Sequence, residues 1–315
     1  LSDQVAYQEL PSLYKAAQCL VAPSRGEGWG RPHHESMMMG VPVIATNWSG
    51  NTEFMSEENS YLLDYHVTPV QGVESAFGIY DGHEWAEPSM EHLRQLMRRA
   101  SQSPDEVASK GRLAREQMLE RFRRKAVTET GVSRFRQLEN ELDRPLSRIP
   151  VSQLSHSMVP SGSGKTLKER VNWVGPFSDL GSLAQVNRYL TKGLSDGLGK
   201  NLIRVEPEAF VGGGQSYSDP LGKRLIRKED TKAILTIRHH WPPSFEKPTG
   251  GGALVLIQPW EFGSLPSSWV HQSEQIDEFW VYSEYVRRVY VDSGVNPSRV
   301  KVLPLGVDLK IYSAN

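Results

Sequence analysis

The sequence lacks the features that mark several classes of protein. It contains one cysteine, Cys19, so a disulfide framework is excluded and a buried thiol in a reducing compartment is the simplest interpretation. The formal net charge of -1 gives no indication of nucleic acid or of an acidic substrate as a partner. No apolar run approaches the ~20 residues of a membrane-spanning helix. We therefore expect a cytoplasmic protein that does not bind nucleic acid.

What the sequence does contain is an ordinary globular composition, with 38 % hydrophobic and 23 % charged residues, and a length of 315 residues that would accommodate about two domains. The first half alternates apolar runs with helical patterns. Buried strands are predicted at residues 19–22, 43–45 and 61–63, with short helices between them. This order predicts a right-handed parallel arrangement. Residues 68–88 are predicted to be irregular, and residues 89–102 and 104–140 helical.

The last of these helices contains a basic run at residues 121–125. A solvated helix face is the interpretation we favour, and a contact with phosphate or with a membrane surface is the alternative. Residues 141–170 are rich in serine and proline and predict a linker. The string SGSGKT at residues 161–166 resembles part of a phosphate-binding loop, but Val159 stands where that motif requires glycine. We interpret it as linker.

A second alternating pattern begins at residue 171. Strands are predicted at residues 171–174, 233–237, 253–257, 279–281 and 300–303, with helices beginning near Gly181 and Ser283. The pattern again predicts a parallel α/β sheet, in which ligands bind beyond the carboxyl ends of the strands. The candidate ligand loops are therefore residues 175–182, 239–243, 259–263 and 304–308.

The most informative stretch is the loop and helix start at residues 23–35. Two carboxylates, Glu27 and Glu35, are separated by seven residues across the predicted junction of loop and helix. Gly28 and Gly30 allow the backbone to approach a ligand closely. The helix start offers free N–H groups and a positive dipole end to phosphates. This layout suits a charged, hydroxyl-rich ligand.

The surrounding residues strengthen this interpretation. PSRGEGWGRP at residues 23–32, Glu35, GVPVIA at residues 40–45 and GNTE at residues 50–53 together resemble the donor-site signature of retaining GT-B glycosyltransferases of family 4. The resemblance covers about residues 7–130. It implies a Rossmann-like domain that binds a nucleotide sugar, with Glu27 contacting the donor sugar hydroxyls and Glu35 the ribose.

The second half resembles the N-terminal, acceptor-side domain of the same family. The similar pieces are WVGPF at residues 173–177, Gly181, WEFGSLP at 260–266, WVYS at 280–283 and PLGVD at 304–308. We therefore predict two Rossmann-like parallel-sheet units of GT-B type. Residues 1–140 would be an incomplete C-terminal, donor-binding domain, residues 141–170 a linker, and residues 171–315 an N-terminal domain. This inverted order indicates a fragment spanning two tandem modules; a circular permutation is the alternative.

Individual residues carry open alternatives. Arg31 could face the diphosphate or pair with Glu27 or Glu35, and Glu53 could cap a helix or contact the donor. Glu261 has aromatic neighbours that suit a sugar ring, but loop packing explains it equally well. His239 or His240 could contact a sugar. The candidate catalytic residues are Glu27 and Glu261, and the candidate donor-binding residues are Gly28, Trp29, Gly30, Arg31, Glu35, Gly50, Glu53 and Gly181.

We expect no metal site. The adjacent histidines His33 and His34 lack the spacing of a metal-binding pair on one helix face, and the sequence contains no Asp-x-Asp triplet. The resemblance implies retaining transfer from a nucleotide-sugar donor to a saccharide or glycolipid acceptor, as in polysaccharide or lipopolysaccharide synthesis. The Arg and Lys pair that neutralises the donor diphosphate in the family has no counterpart here. A non-catalytic carbohydrate-binding or scaffolding protein of the same fold is therefore the alternative.

Overall fold

The computed structural model describes residue 5 and residues 7–72, 79–142, 171–179, 181–198, 202–210 and 225–313. The chain divides into two compact units, each assembled from separated stretches. The first unit consists of Leu1–Val127, Ile257–Glu274 and Glu278–Asn315, and the second of Thr128–Leu256 and Gln275–Asp277. Most of the predicted linker, with the string at residues 161–166, lies outside the described residues, so the domain boundaries around it stay a prediction.

A three-stranded parallel sheet carries the loop at residues 23–30. Its strands β1, β2 and β3 lie side by side in chain order. The central strand β2 is buried along its whole length, which explains why its sequence is apolar without alternation. The elements of this region are α1 (Leu10–Lys15), β1 (Leu20–Ala22), α2 (Arg31–Met38), β2 (Val43–Thr46), a 3-10 helix (Ser49–Glu53) and β3 (Tyr61–Leu63). Their order is the predicted one.

The side chain of Cys19 packs against the core beneath this sheet. That core combines residues of β2 and β3 with Leu93, Leu96 and Ala100. Burial raises the pKa of the Cys19 thiol to about 11. The thiol is therefore protonated and unreactive at neutral pH, as a structural cysteine should be.

Residues 68–88 are not irregular throughout, contrary to the prediction. Strands β4 (Tyr65–Pro69) and β5 (Glu84–Pro88) form an antiparallel pair, with Tyr65 opposite Pro88 and Val67 opposite Ala86. Strand β4 is mostly exposed, so the alternation in its sequence YHVTP does not correspond to a buried face. Backbone pairing rather than burial defines this hairpin.

The helix predicted at residues 104–140 is two helices. Helix α3 (Met90–Gln102) is followed by α4 (Pro104–Arg121) and α5 (Arg124–Leu142). At the break the backbone of Phe122 and Arg124 bonds to Val307 instead of continuing the helix. Val307 N donates to Phe122 O at 3.1 Å, and Arg124 N donates to Val307 O at 3.1 Å. No glycine or proline marks this break, because its cause lies far along the chain.

Six strands form the second sheet, in the order β11-β10-β9-β8-β6-β7. The order reverses between β6 and β8, so the loops after these two strands flank the place where such sheets bind ligands. Strand β7 and helix α7 were not predicted; both are short. The elements are β6 (Val171–Val174), α6 (Ser182–Leu198), β7 (Ile203–Val205), β8 (Leu235–Arg238), β9 (Ala253–Ile257), α7 (Ser267–Gln272), β10 (Glu278–Val281), α8 (Glu284–Asp292) and β11 (Val300–Val302).

The architecture is thus mixed α/β with parallel sheets, which confirms the predicted fold class. Among the helices of the described residues, none is both long enough and apolar enough to cross a membrane.

Candidate functional site

The loop at residues 23–30 follows β1 and is closely packed around its glycines. A Cβ atom on Gly50 would lie 2.4 Å from the carbonyl oxygen of Gly28, and one on Gly28 would lie 2.6 Å from the Cβ atom of Pro259. Side chains cannot be accommodated at these distances. Gly28 and Gly50 are therefore required by protein packing, and their predicted role in donor binding stays a prediction.

The backbone of Glu27 is fixed from both sides by the turn after β2. Glu27 N donates to Ser49 Oγ at 2.6 Å, and Gly50 N donates to Glu27 O at 2.7 Å. Ser49 is fully buried and has a φ of 68°, in the left-handed region that a serine seldom adopts. Backbone strain of this kind concentrates at functional sites. Here it places the Ser49 hydroxyl that accepts the backbone N–H of Glu27.

Glu27 lies beside Glu261, the other residue predicted to be catalytic. A Cβ atom on Gly26 would lie 2.9 Å from the Cβ atom of Glu261, so the two loops are in contact. Burial, with the charge of Glu27 as a second cause, raises the pKa of Glu261 to about 7. Burial also raises the pKa of Glu27. Two neighbouring carboxyl groups resist ionising together, so at neutral pH the pair holds a proton part of the time.

Aromatic side chains surround Glu261. The rings of Trp260 and Phe262 lie 5.2 Å apart, and His83 packs 5.5 Å from Trp260 and 5.7 Å from Phe262. His83 Nδ1 is 3.0 Å from Ser264 Oγ. Tyr80 packs 5.3 Å from Phe262. Burial and then the charge of Glu261 raise the pKa of Tyr80, so this tyrosine is close to the carboxyl group as well. Sequence reasoning missed Tyr80 and His83, whose only signal was an aromatic and a histidine flanking Gly82.

Glu35 lies in a separate, buried cluster. Tyr14 donates to its Oε2 at 3.1 Å, and Arg31 donates to its Oε1 at 3.0 Å. The Tyr14 ring lies 6.4 Å from that of Tyr312, and burial followed by the charge of Glu35 raises the pKa of Tyr312. Both carboxylate oxygens of Glu35 thus have protein partners. Glu27 and Glu35 were the two carboxylates proposed as partners of Arg31, and in the structure Arg31 pairs with Glu35.

Trp29 and Gly30 shape the start of α2. Trp29 is buried and donates from Nε1 to His34 Nδ1 at 2.9 Å, and its ring packs 5.1 Å from Phe54. Gly30 precedes the helix with a φ of 83°, which glycine adopts without strain. In this structure Trp29 is part of the core, and Gly30 is a turn residue.

The carboxylate of Glu53 accepts a hydrogen bond from the first residue of a helix. Its Oε2 accepts a hydrogen bond from Glu284 N, the first residue of α8, at 2.8 Å, and its Oε1 lies 3.4 Å from Arg121. A carboxylate at this position stabilises the positive end of the helix. Glu53 thus caps α8, a helix distant in sequence. Arg121 and Arg124 of the basic run have acidic partners, since Arg124 pairs with Asp308 at 2.5 Å.

The histidines singled out from the sequence, His33, His34, His239 and His240, are buried, and burial lowers the pKa of each. Burial lowers the pKa of His33 to about 4 and that of His34 to about 3. His239 belongs to the second unit, where its Nδ1 lies 2.7 Å from Asn187 Oδ1 and burial lowers its pKa to about 3. Over the described residues, no group of three or more His, Cys, Asp or Glu side chains is arranged to hold a metal ion.

Gly181 is also in the second unit, whereas the other candidate site residues are in the first. Its N–H donates to Asp179 Oδ1 at 2.5 Å.

In the first unit, the carboxyl pair of Glu27 and Glu261 is the described feature best able to do chemistry. Glu261 can donate or accept a proton near neutral pH, and an ionised Glu27 can accept hydrogen bonds from hydroxyl groups.

Comparisons with known proteins point to the same region. Residues 2–71 match the sequence model of a family described as glycosyl transferases group 1. A stretch of 98 residues is 30% identical to spore coat protein SA of Bacillus subtilis (strain 168), covering 30% of this chain and 25% of that protein. The chain thus matches about a quarter of the length of this relative. No solved structure gave a significant match. The family match contains Glu27, Glu35 and the turn at Ser49, and Glu261 lies outside it.

Proposed function

We propose that this chain is part of a retaining glycosyltransferase that moves a sugar from a nucleotide-sugar donor to a saccharide or glycolipid acceptor. The observation that carries the proposal is the carboxyl pair Glu27 and Glu261, next to a glycine-lined loop in a region similar to glycosyl transferases group 1. Fixed backbone around Glu27 and aromatic walls around Glu261 form the kind of rigid, partly dry surroundings in which hydrogen bonds to a sugar are strong.

In this proposal the two carboxyl groups have different tasks. Glu27 in its charged form accepts hydrogen bonds from two neighbouring sugar hydroxyls. Glu261, with a pKa of about 7, is available in its protonated form as a hydrogen-bond donor to the sugar or to the departing oxygen. The start of α2 offers backbone N–H groups to the diphosphate. In the reaction implied by the resemblance, the departing phosphate takes the acceptor proton, so no strong protein nucleophile is required.

The source of positive charge for the diphosphate and the cellular process are part of the same proposal. Arg31 is paired with Glu35 at 3.0 Å, so further positive charge for the diphosphate would come from the remaining halves of tandem modules in a longer polypeptide. Polysaccharide or lipopolysaccharide synthesis at the inner face of the cytoplasmic membrane, without a metal ion, is the setting that the resemblance favours.

A second candidate is a non-catalytic carbohydrate-binding protein of the same fold. The observation that favours it is Glu35, which the resemblance assigns to the donor ribose. Both of its oxygens are engaged by Tyr14 and Arg31, and the residue is only 5 % exposed. A ribose would have to share these oxygens with Tyr14 and Arg31 or displace them, and displacement costs about 1–3 kcal/mol for each group left unsatisfied.

Binding and transfer measurements on the full chain separate the two candidates. We would titrate it calorimetrically with UDP-, GDP- and ADP-sugars, and then assay transfer to methyl glycosides. A glycosyltransferase should bind one donor class and lose transfer by at least about 100-fold in Glu27→Gln. Glu87→Gln is the matched control, because Glu87 is a more exposed carboxylate paired with Arg25 of the same loop. Saccharide binding without donor binding or transfer would instead establish the non-catalytic candidate.

A further inference from the structure

We propose that the turn at residues 80–83, immediately before β5, positions the carboxyl group of Glu261. His83 fixes the loop that carries Glu261, and Tyr80 covers the carboxyl group against solvent. Both are positioning residues, because they act through Glu261 and not on a substrate. Neither lies in the family match at residues 2–71, so the comparisons assign them no role.

The backbone of this turn is fixed. His83 N donates to Tyr80 O at 3.3 Å, which closes a four-residue β-turn. Gly82, its third residue, has a φ of 79°, which a type II turn requires at this position and which glycine adopts without strain. Val70 N donates to His83 O at 2.9 Å and ties the turn to the residue that follows β4. Tyr80 and His83 are therefore presented from a defined backbone.

His83 contacts the loop of Glu261 at three points. Its Nδ1 lies 3.0 Å from Ser264 Oγ, and its ring packs 5.5 Å from that of Trp260 and 5.7 Å from that of Phe262. Trp260 and Phe262 are the residues on either side of Glu261 in the chain. His83 is only 6 % exposed, so loss of its hydrogen bond is costly. A displacement of the loop would break all three contacts.

The loop is short and internally bonded, so fixing Ser264 also fixes Glu261. Trp260 Nε1 donates to Ser264 O at 2.7 Å and closes the loop across Glu261. The next residue, Leu265, donates from its backbone N–H to Ser293 Oγ at 2.9 Å. A displacement at Ser264 is therefore transmitted to a carboxyl group within the same closed loop.

Tyr80 covers the carboxyl group from the same turn. Its ring packs 5.3 Å from that of Phe262. Burial and then the charge of Glu261 raise the pKa of Tyr80, so the phenol lies near the carboxyl group. An aromatic ring at this place excludes water that would otherwise solvate an ionised Glu261. The titratable groups that face Glu261 in the described residues are Tyr80 and, from the loop after β1, Glu27; His83 lies against the flanking rings.

The charge of His83 is not the means of positioning. Burial lowers the pKa of His83, so its imidazole is mostly neutral at the pH where Glu261 ionises. A charged imidazole would favour the ionised carboxylate and lower the pKa of Glu261. Removing His83 therefore has opposite consequences in the two cases. The pKa of Glu261 falls if His83 holds the loop in place, and it rises if His83 acts by its charge.

The positioning itself is independent of the proposed function, because it follows from contacts within the chain. Its meaning for catalysis does rest on that function. A displaced and solvated Glu261 is ionised at neutral pH and no longer donates a hydrogen bond to the sugar or to the departing oxygen. A measurement on the carboxyl group without substrate therefore tests the positioning, and an assay of transfer tests the proposed function separately.

Carbon-13 NMR of the full 315-residue chain, labelled at the side-chain carboxyl carbon of glutamate, measures the titration of Glu261 directly. Its signal is assigned by its loss in Glu261→Gln. In His83→Ala the titration midpoint should fall from about 7 by about 1 pH unit or more, toward the ordinary 4.5. Tyr80→Ala should lower the midpoint too. Tyr80→Phe keeps the ring and should change it by less than about 0.3 pH unit.

Conservative variants separate positioning from a general role in stability, which would leave the midpoint unchanged. His83→Asn retains an amide that can bond to Ser264 Oγ, so the midpoint should fall less than half as far as in His83→Ala. Ser264→Ala removes the same hydrogen bond at an exposed position, and its combination with His83→Ala should lower the midpoint little further than His83→Ala alone. The control His66→Ala removes an exposed histidine of β4 and should leave the midpoint unchanged.

The proposal is overturned if the midpoint of Glu261 is unchanged in both His83→Ala and Tyr80→Ala, if it rises in His83→Ala, or if it falls equally in His66→Ala. Circular dichroism checks that each variant folds. If His83→Ala does not fold, Ser264→Ala and Tyr80→Ala decide, since neither position is fully buried. Where the chain transfers sugar, His83→Ala should also move the pH profile of kcat to lower pH by the same amount. Absence of transfer would refute the proposed function and leave the titration as the test of positioning.

Discussion

The loops after β1 and β6 each follow the first strand, in chain order, of a parallel sheet, but the carboxylates that pack at them have different surroundings. In the loop after β1, hydrogen bonds fix the backbone of Glu27, and its carboxyl group lies beside a second carboxyl, Glu261. In the loop after β6, the carboxyl group of Glu206 is itself the fixed point, with three donors at 2.5–2.8 Å. One loop keeps acidic groups in an unfavourable environment, and the other uses an acidic group to build its own structure.

This difference distinguishes carboxylates that bind a ligand from carboxylates that stabilise the folded structure. A buried acid whose donors are all supplied by the protein lowers the free energy of the folded state. An acid placed next to another acid raises it, and such a cost persists where the arrangement has a function. Stability measurements on single variants therefore test this distinction without knowledge of the substrate.

Glu206→Gln should have the largest effect. The amide side chain has one acceptor oxygen where the carboxylate has two, and its NH₂ group would meet backbone N–H groups that are themselves donors. We expect the free energy of unfolding of the second unit to fall by about 3 kcal/mol in urea titrations. Amide hydrogen exchange at Phe177 and Ser178 should accelerate in parallel. Glu208→Gln, at an exposed position two residues away, is the control and should change stability by less than about 0.5 kcal/mol. An equal effect of both substitutions would remove the distinction between the two loops.

Glu261→Gln should have an effect of similar size and opposite sign at alkaline pH. The folded carboxyl has a pKa of about 7 against an ordinary 4.5, so the folded state holds its proton to higher pH than the unfolded state does. Stability is then lost as pH rises from about 4.5 through 7, because the folded form must give up a proton that the unfolded form has already lost. The variant has no such proton. It should be more stable than the unaltered chain by about 3 kcal/mol at pH 8, with almost no difference near pH 4.

The control for this pH dependence is Glu87→Gln. Glu87 pairs with Arg25, which lowers its pKa through a hydrogen bond, so its removal should not stabilise the protein at pH 8. A Glu261→Gln variant that is less stable than the unaltered chain at pH 8 would show that Glu261 is structural, as Glu206 is.

The sequence predicted those parts of the molecule whose causes are local. Apolar runs marked most of the strands. Gly30 and Gly40 lie at the two ends of α2, where each has a positive φ. Glu27 was a candidate through the family resemblance of its glycine-rich loop, and Glu261 through its aromatic neighbours at residues 260 and 262. That the two lie side by side was not predicted. Their raised pKa values were not predictable, because each depends on burial and the second also depends on a neighbour 234 residues away.

Long-range contacts explain the errors. The break between α4 and α5 is made by backbone bonds to Val307, and the hairpin of β4 and β5 by pairing of exposed strands. The partners of Glu35, whose assignment to a ribose stays a prediction, include Tyr14, 21 residues away. Tyr80 and His83 reach Glu261 and its aromatic neighbours only in the folded chain. None of these contacts leaves a periodic or compositional mark on the sequence.

The substitution Glu35→Gln should have the smallest effect on stability. It tests whether Glu35 is a ligand-binding carboxylate like Glu27 or a structural one like Glu206. Glu35 resembles Glu206, since Arg31 and Tyr14 satisfy its two oxygens. The substitution keeps one acceptor oxygen, and Arg31 is partly exposed to solvent, so the free energy of unfolding should fall by only about 1 kcal/mol. Tyr14→Phe removes one donor and should cost about as much, and the double variant should cost less than the sum, since both substitutions act on one hydrogen bond. If Glu35→Gln left stability unchanged and abolished nucleotide-sugar binding, Glu35 would belong with Glu27 as a ligand carboxylate, and the engagement by Tyr14 and Arg31 would be incidental.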